Sequence, residues 1–286
     1  MKEEMDLRLR QLQQTELDIL KLIDGICRRN GIRYSLYFGT MLGAARHGGF
    51  IPWDDDLDVC MSRPEYERFL RVWEEERPAG YLLQNKENTP GFTQTFTKIR
   101  KEHTCFVQFE WEKGRYHTGI FVDIFPLDRT PEGGLARKLF LWDGMIYQLF
   151  TREFVPPKGS RLQKTVSRVL LALVPKGLRA SLRARKLKRI RRYEDRKDLP
   201  RVGLQTLHGL RHPLPADLLE EFTEIPFEDG TFPCFAGWKT YLERAYRAPW
   251  QLPPEEKRVW THHPIVLDFR RDWEEISRDE AGSDVL

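Results

Sequence analysis

Apolar residues recur at helical spacing through residues 5–29, with Leu9, Leu12, Ile19, Leu20, Ile23 and Ile26 on one side. This predicts a long amphipathic helix that stops at Asn30-Gly31, a left-handed C-cap pair. The period then changes. Ile32, Tyr34, Leu36 and Phe38 alternate with polar or small residues, which predicts a strand over 32–38. A Gly39-Thr40 turn leads into a short helix through His47, broken by Gly48-Gly49, and Pro52 keeps 50–53 a loop. Alternation returns over 56–61. Ser62, Pro64 and Glu65 form a capping-box start for a helix carrying Tyr66, Phe69, Leu70 and Trp73, which ends before Pro78. Runs at 81–84, 94–100, 104–110 and 119–125 predict further strands. Helices are predicted at 135–152, 160–173 and 177–195. Ile225–Pro233 reads as a hairpin turning at Asp229-Gly230, followed by a helix at 237–247. The last ten or so residues are polar and expected to fray.

Interspersed strands and helices predict an α+β fold, a mixed β-sheet flanked by helices. Pro126, Pro131 and Gly133-Gly134 mark the best seam, near 126–135. The expected organisation is a sheet domain with its N-terminal helix over 1–130, a basic helical insert over 131–200, and a C-terminal hairpin and helix over 201–286 that complete the sheet domain. With 286 residues the chain can bury a substantial core. Its four cysteines lie far apart, with no C-x-x-C pair, which argues against a structural zinc site. Cys60 and Cys105 sit in apolar runs and read as buried thiols, consistent with a reducing cytoplasm. Met1-Lys2-Glu3-Glu4 is too charged to open a signal peptide, and the longest apolar run, Val169–Val174, is far too short to span a bilayer. The net charge of +4 hides an asymmetry. Residues 158–192 hold 13 Lys or Arg and no Asp or Glu, so the rest of the chain is acidic.

That acidity is concentrated at Trp53-Asp54-Asp55-Asp56-Leu57-Asp58-Val59. On a strand, Asp56 and Asp58 would point to one face while Leu57 and Val59 enter the core. Converging carboxylates repel unless a cation lies between them, and a hard divalent ion is the usual answer. The plainer alternative is a solvated acidic turn. The lead-in favours chemistry: strand, Gly39-Thr40 turn, short helix, loop, then Asp-x-Asp on a second strand is the layout of a nucleotidyltransferase-like palm. In such a palm the turn's amides hold phosphate and the aspartates hold metal. Asp123 stands alone in the apolar run Gly119–Phe125. It either pairs with a nearby arginine or serves as a third acid, as metal ligand or base.

The block from Phe38-Gly39-Thr40 through Pro52-Trp53-Asp54-Asp55-Asp56-Leu57-Asp58 closely resembles the signature of the LicD family of phosphotransferases. Thr97–Arg100, His117–Asp128, the Ile225–Phe232 hairpin, Tyr241-Leu242, Leu252–Glu256 and His262-His263 extend the likeness over about 15–264; it is weakest between 130 and 200. Only Met41 and Ala45 depart from the apolar residues expected at their positions. Bacterial members are associated with moving phosphocholine from CDP-choline onto surface glycans such as teichoic acid or lipopolysaccharide. Distant fukutin-type relatives move ribitol phosphate from a CDP donor. The resemblance implies a nucleotidyltransferase-like fold, Mg²⁺ or Mn²⁺, a CDP-linked donor and a glycan acceptor; the cysteines and the charged N-terminus give the expected place as the cytoplasm, and the basic segment, if it meets a membrane, as its inner face, which would suit an acceptor on a lipid carrier. For the site residues the resemblance is more specific. It places Asp56, Asp58 and Asp123 as catalytic metal ligands, with Asp54 either assisting or only ordering the loop.

Several residues are candidates for holding substrate: Gly39 and Thr40 at the turn, Arg46 and His47 just after it, Lys98 and Arg100 two apart on one strand, and His117 before Asp123. Each basic one has an ordinary alternative, as a surface charge or a structural hydrogen-bonder. A choline head would want aromatic faces, for which Trp53, Tyr37, Trp111 and Tyr116 are available. His262-His263 could close the site. The basic 158–192 segment is either a helix pair on an anionic membrane or a solvated cap balancing the acidic body. The leading function is metal-dependent transfer of a phosphoalcohol from a CDP donor to a glycan hydroxyl. The alternatives are a nucleotidyltransferase and a non-catalytic basic module binding anionic lipid or nucleic acid; nucleic acid is not expected, since 158–192 lacks interleaved aromatics.

Overall fold

Helix α1 (Lys2–Asn30) buries the stripe read from the sequence, Leu9 through Ile26, and ends with Gly31 at a φ of 60°. The computed structural model describes residues 2–155, 160–246, 252, 255 and 258–283. Strand β1 (Ser35–Leu36) is shorter than the predicted 32–38. Ile32 and Tyr34 are buried but outside the strand ladder; Tyr37 N–H still donates to the Asp58 carbonyl, and at Phe38, whose N–H donates to the Tyr241 hydroxyl, the chain enters a helix. Helix α2 (Phe38–His47) therefore contains Gly39 and Thr40 in its first turn and closes at Gly48, φ 68°. Strand β2 (Asp58–Ser62) leaves Asp56 outside the strand, in the preceding loop. Helix α3 (Arg63–Glu76) follows without the expected Ser62 side-chain cap.

Strands β3 (Tyr81–Gln84) and β4 (Thr97–Lys101) are next, then β5 (Cys105–Val107), which gives way to a 3-10 turn at Glu110–Glu112 rather than continuing to 110. Strand β6 (Phe121–Arg129) continues past Pro126, which stays in parallel register with Met61, and ends within the 126–135 stretch. Helix α4 (Gly134–Arg152) follows, and α5 (Arg161–Leu173) and α6 (Lys176–Arg191) carry the basic segment, whose first residue, Lys158, lies outside the described residues. Then come β7 (Arg201–Gly203), the short α7 (Leu207–Arg211) and β8 (Leu214–Pro215). The hairpin β9 (Phe222–Phe227) and β10 (Gly230–Phe235) turns at Glu228-Asp229, with Gly230 already paired to Phe227. Helix α8 (Trp238–Tyr246) and strand β11 (Val266–Asp268) follow; Leu252–Glu256 falls largely outside the described residues. Most of the end expected to fray belongs to helix α9 (Trp273–Ser283), started by reciprocal bonds between Asp272 and Glu275 and docked through Ile276 beside Cys105 and Val107; residues 284–286 lie outside the described residues.

The main sheet has seven strands. Its path is β1-β2-β6-β4-β3, with β2 and β6 parallel and the other pairs antiparallel; β7 pairs the far end of β6, and β8 pairs β7. The mixed sheet flanked by helices is the architecture expected. One core joins α1, α2, α3 and the sheet to the β9–β10 hairpin and α8. Helices α4 and α6 share a smaller core around Phe140, Tyr147, Ile190 and Tyr193. Arg63 and Asp128, both buried, form a two-armed ion pair at 2.7 and 2.8 Å between the start of α3 and β6. All four cysteines are buried and free.

Candidate active site

The sheet places a row of charged groups side by side. Asp58 on β2 is the register partner of Asp123 on β6, and Asp123 is the partner of Lys98 on β4. Paired residues share a face, so the three side chains project together, and Lys98 Nζ sits 2.6 Å from Asp123 Oδ1. Asp58 is held from the helix side, since its N–H donates to Thr40 Oγ1 at 2.8 Å. Thr40 thus spends an acceptor position on the strand. Gly39 lets the loop come close: a Cβ there would lie 2.7 Å from Asp54 Oδ2, so any other residue would displace this carboxylate from the first turn of α2.

Asp54, Asp56, Asp58 and Asp123 share one electrostatic neighbourhood. Burial, then Asp56 and Asp55, push the Asp54 carboxyl up to about 8. Burial pushes Asp56 up, His262 opposes this, and Asp123 adds to it. Burial, Asp56, Asp123 and Asp54 push Asp58 well above the usual carboxylate range. Tyr246 of α8 faces the same group, its phenol pushed up by burial and by Asp58, Asp54 and Asp56. Mutually repelling buried carboxylates with Lys98 and His262 as their near cations form a hard, oxygen-rich donor set, which fits a divalent ion.

Asp55 does something else. It is fully buried, and its oxygens accept from the backbone N–H groups of Thr261, His262 and His263 at 2.9–3.3 Å. The His262 ring follows, with Nδ1 3.2 Å from Asp55 and 3.7 Å from Asp56. Asp55, Asp56 and His262 bring their ligand atoms within 4.8 Å of one another. The histidine doublet was the sequence signal for this closure; Asp55 as its anchor carried none.

Beneath the loop, Gln13 of α1 donates to the Asp54 carbonyl at 2.9 Å. Glu16, three residues on, is fully buried, and neither carboxylate oxygen has a hydrogen-bond partner. Burial and then Asp56, Asp55 and Asp54 push it well above its ordinary value. Below the unfolded value of about 4.3 the proton costs nothing; above it, folding must retain the proton and stability is lost as pH rises. Glu16→Met is therefore expected to stabilise the chelator-treated protein by about 1–3 kcal/mol at pH 7.5 and by less at pH 4.5, read from urea unfolding. Equal gains at both pH values would contradict a neutral buried acid.

One cavity opens at the Lys98 end of the charged row. Lys98, Arg100, Asp123 and His262 line it, together with Phe92, Phe109, Trp111, Glu112 and Tyr116. Phe109 and Trp111 stack at 5.8 Å although they are 50% and 43% exposed, and Tyr116 meets both Trp111 and Phe92 edge-on. Arg100 is buried and donates to Gln84 and the Gly119 carbonyl, both at 2.6 Å. His117 does not line this cavity; its Nδ1 accepts from Gly119 N–H. Arg46 and His47 lie on the opposite flank, Arg46 Nε 2.8 Å from His47 Nε2, with the His47 ring edge-on to Trp53 and Arg258 over the Trp53 ring. Asp54 is among the charges that act on Arg46. Tyr37 is core, stacked on Tyr241.

A family model described as LicD/FKTN/FKRP, nucleotidyltransferase domain, matches residues 31–164. The chain is 31% identical over 263 residues to the lipopolysaccharide cholinephosphotransferase LicD of Haemophilus influenzae, covering 90% of this chain and 96% of that protein. A 51-residue stretch, 18% of this chain, is 45% identical to the ribitol 5-phosphate transferases FKRP of human and mouse, of which it covers 10%.

Proposed function

The chain belongs to the LicD family, and on that premise we propose that it is a metal-dependent phosphotransferase with a nucleotidyltransferase-like palm. It moves phosphocholine from CDP-choline to a hydroxyl of a cell-surface glycan. The observation that carries the choice of substrate is one cavity whose wall holds both kinds of group: Lys98 and Arg100 beside Asp123, which suit a phosphate, and the Phe92, Phe109, Trp111 and Tyr116 rings with Glu112, which suit a quaternary ammonium.

Asp56, Asp58 and Asp123 would hold Mg²⁺ or Mn²⁺, which when bound supplies Lewis-acid neutralisation of the donor's phosphate charge. The chain's own residues do the rest. Lys98, fixed by Asp123, and Arg100, fixed by Gln84 and Gly119, orient the phosphate for in-line attack. The acceptor oxygen forms the new P–O bond, its proton passes to Asp123, and the bond to CMP breaks. The 261–263 segment, held by Asp55, puts His262 over the charged row and limits water there.

The test is product analysis with CDP-choline, Mg²⁺ and a cell-envelope glycan. CMP release is expected; pyrophosphate release from a nucleotide substrate would instead mark nucleotidyl transfer. Trp111→Ala is expected to raise KM for CDP-choline about tenfold with kcat nearly unchanged, while leaving a CDP-glycerol donor unaffected. Equal losses with both donors would remove the ring from choline recognition.

A further inference from the structure

Helix α5 has two apolar faces, and only one is covered. Leu170, Leu171 and Val174 pack, with Leu182 of α6, against Ile146, Leu149 and Phe150 of α4. On the other face Leu162, Val166, Val169 and Leu173 follow helical spacing and stand in solvent, Leu162 and Leu173 each 74% exposed. Leu178, at the start of α6, is exposed as well. A contiguous apolar stripe left in water marks an interaction surface.

The charges beside the stripe identify what it meets. Arg161 and Arg168 run along its open edge, and exposed Lys176, Arg185 and Lys188 follow on α6. Other basic residues of the segment are used internally: Lys186 and Arg189 hold Asp143, Arg183 faces Glu87, and Arg191 reaches Glu67 and Glu194. No carboxylate occurs anywhere between residues 158 and 192. A second copy of the chain would bring two such segments together and repel. A nucleic acid would match the cations but offer nothing to the leucines and valines.

We propose that this face of α5 and the start of α6 lies on an anionic phospholipid surface, with the stripe immersed at the boundary of headgroups and acyl chains and the Arg and Lys side chains against lipid phosphates. No described helix is long and apolar enough to cross a membrane, so the contact is interfacial. The catalytic row lies on a different element, the sheet, and takes no part.

Flotation of the full chain with vesicles tests this. Binding is expected to vesicles of phosphatidylcholine with phosphatidylglycerol, not to phosphatidylcholine alone, and to weaken as salt rises. Leu162→Asp with Leu173→Asp is expected to lower the bound fraction at least about tenfold; both residues are exposed, so the circular dichroism spectrum and turnover of a water-soluble acceptor should not change. Three results would overturn the proposal: no binding to the anionic vesicles, binding by the double variant equal to wild type, or a concentration-dependent dimer that the same substitutions abolish. The last would assign the stripe to a second copy.

Discussion

Asp58→Asn is expected to lower the CMP-release rate by at least about 10³-fold while making the metal-free protein more stable. The two effects share one cause. Asp58 is 7% exposed, sits beside Asp123 in the ladder, and is pushed up by burial, Asp56, Asp123 and Asp54. An ionised carboxylate there costs stability in proportion to how far pH lies above its unfolded value. Asparagine keeps the shape and removes the charge, so a gain of about 1–2 kcal/mol is expected at neutral pH. The same change removes a hard oxygen ligand. Thermal melts with and without Mn²⁺ separate the two: the wild type should shift upward with metal and the variant should not. A variant that loses activity, loses stability and still responds to Mn²⁺ would show that Asp58 is structural.

The largest stability loss is expected at the other acid of β6. Asp128 is 1% exposed and Arg63 3%; the pair is bidentate, and Gln205 Nε2 adds a third bond to Asp128 at 3.0 Å. Removing one partner strands the other charge in the core. Asp128→Ala should cost about 3–5 kcal/mol, a fall in the thermal midpoint on the order of 10 °C. Replacing both, Arg63→Met with Asp128→Leu, should recover most of it, because the cost comes from the unpaired charge more than from the lost bond. A double variant as unstable as Asp128→Ala would place the cost in packing instead.

Much of this was legible in the sequence because it is local and periodic. The stripe of α1 and the lone Asp123 in an apolar strand follow from spacing and burial cost alone. Asp56 and Asp58 were expected on one strand face; only Asp58 is on the strand, since pairing with β6 begins there. What escaped depends on partners far along the chain. Asp55 reads like its neighbours until residues 261–263 arrive to bond it. Phe92 and Phe109 gain meaning only when the fold sets them beside Tyr116 and Trp111. Glu16 did leave a signal: it falls four residues after Leu12 on the apolar face of α1, a place where a carboxylate needs a reason. Helix α9 was missed because its composition is polar and its anchor, Ile276, is a single residue.

The bonds to Asp55 also order events in time. A ribosome delivers the acidic loop early, yet the amides that saturate Asp55 belong to residues made more than two hundred positions later. A nascent chain can pair β2 with β6 and dock α1, but it carries an open loop with a buried carboxylate in want of donors. The donors to Asp55 are thus a late addition to the loop, and a product truncated before Thr261 is expected to keep the β2–β6 pairing while leaving Asp55 without its amide partners.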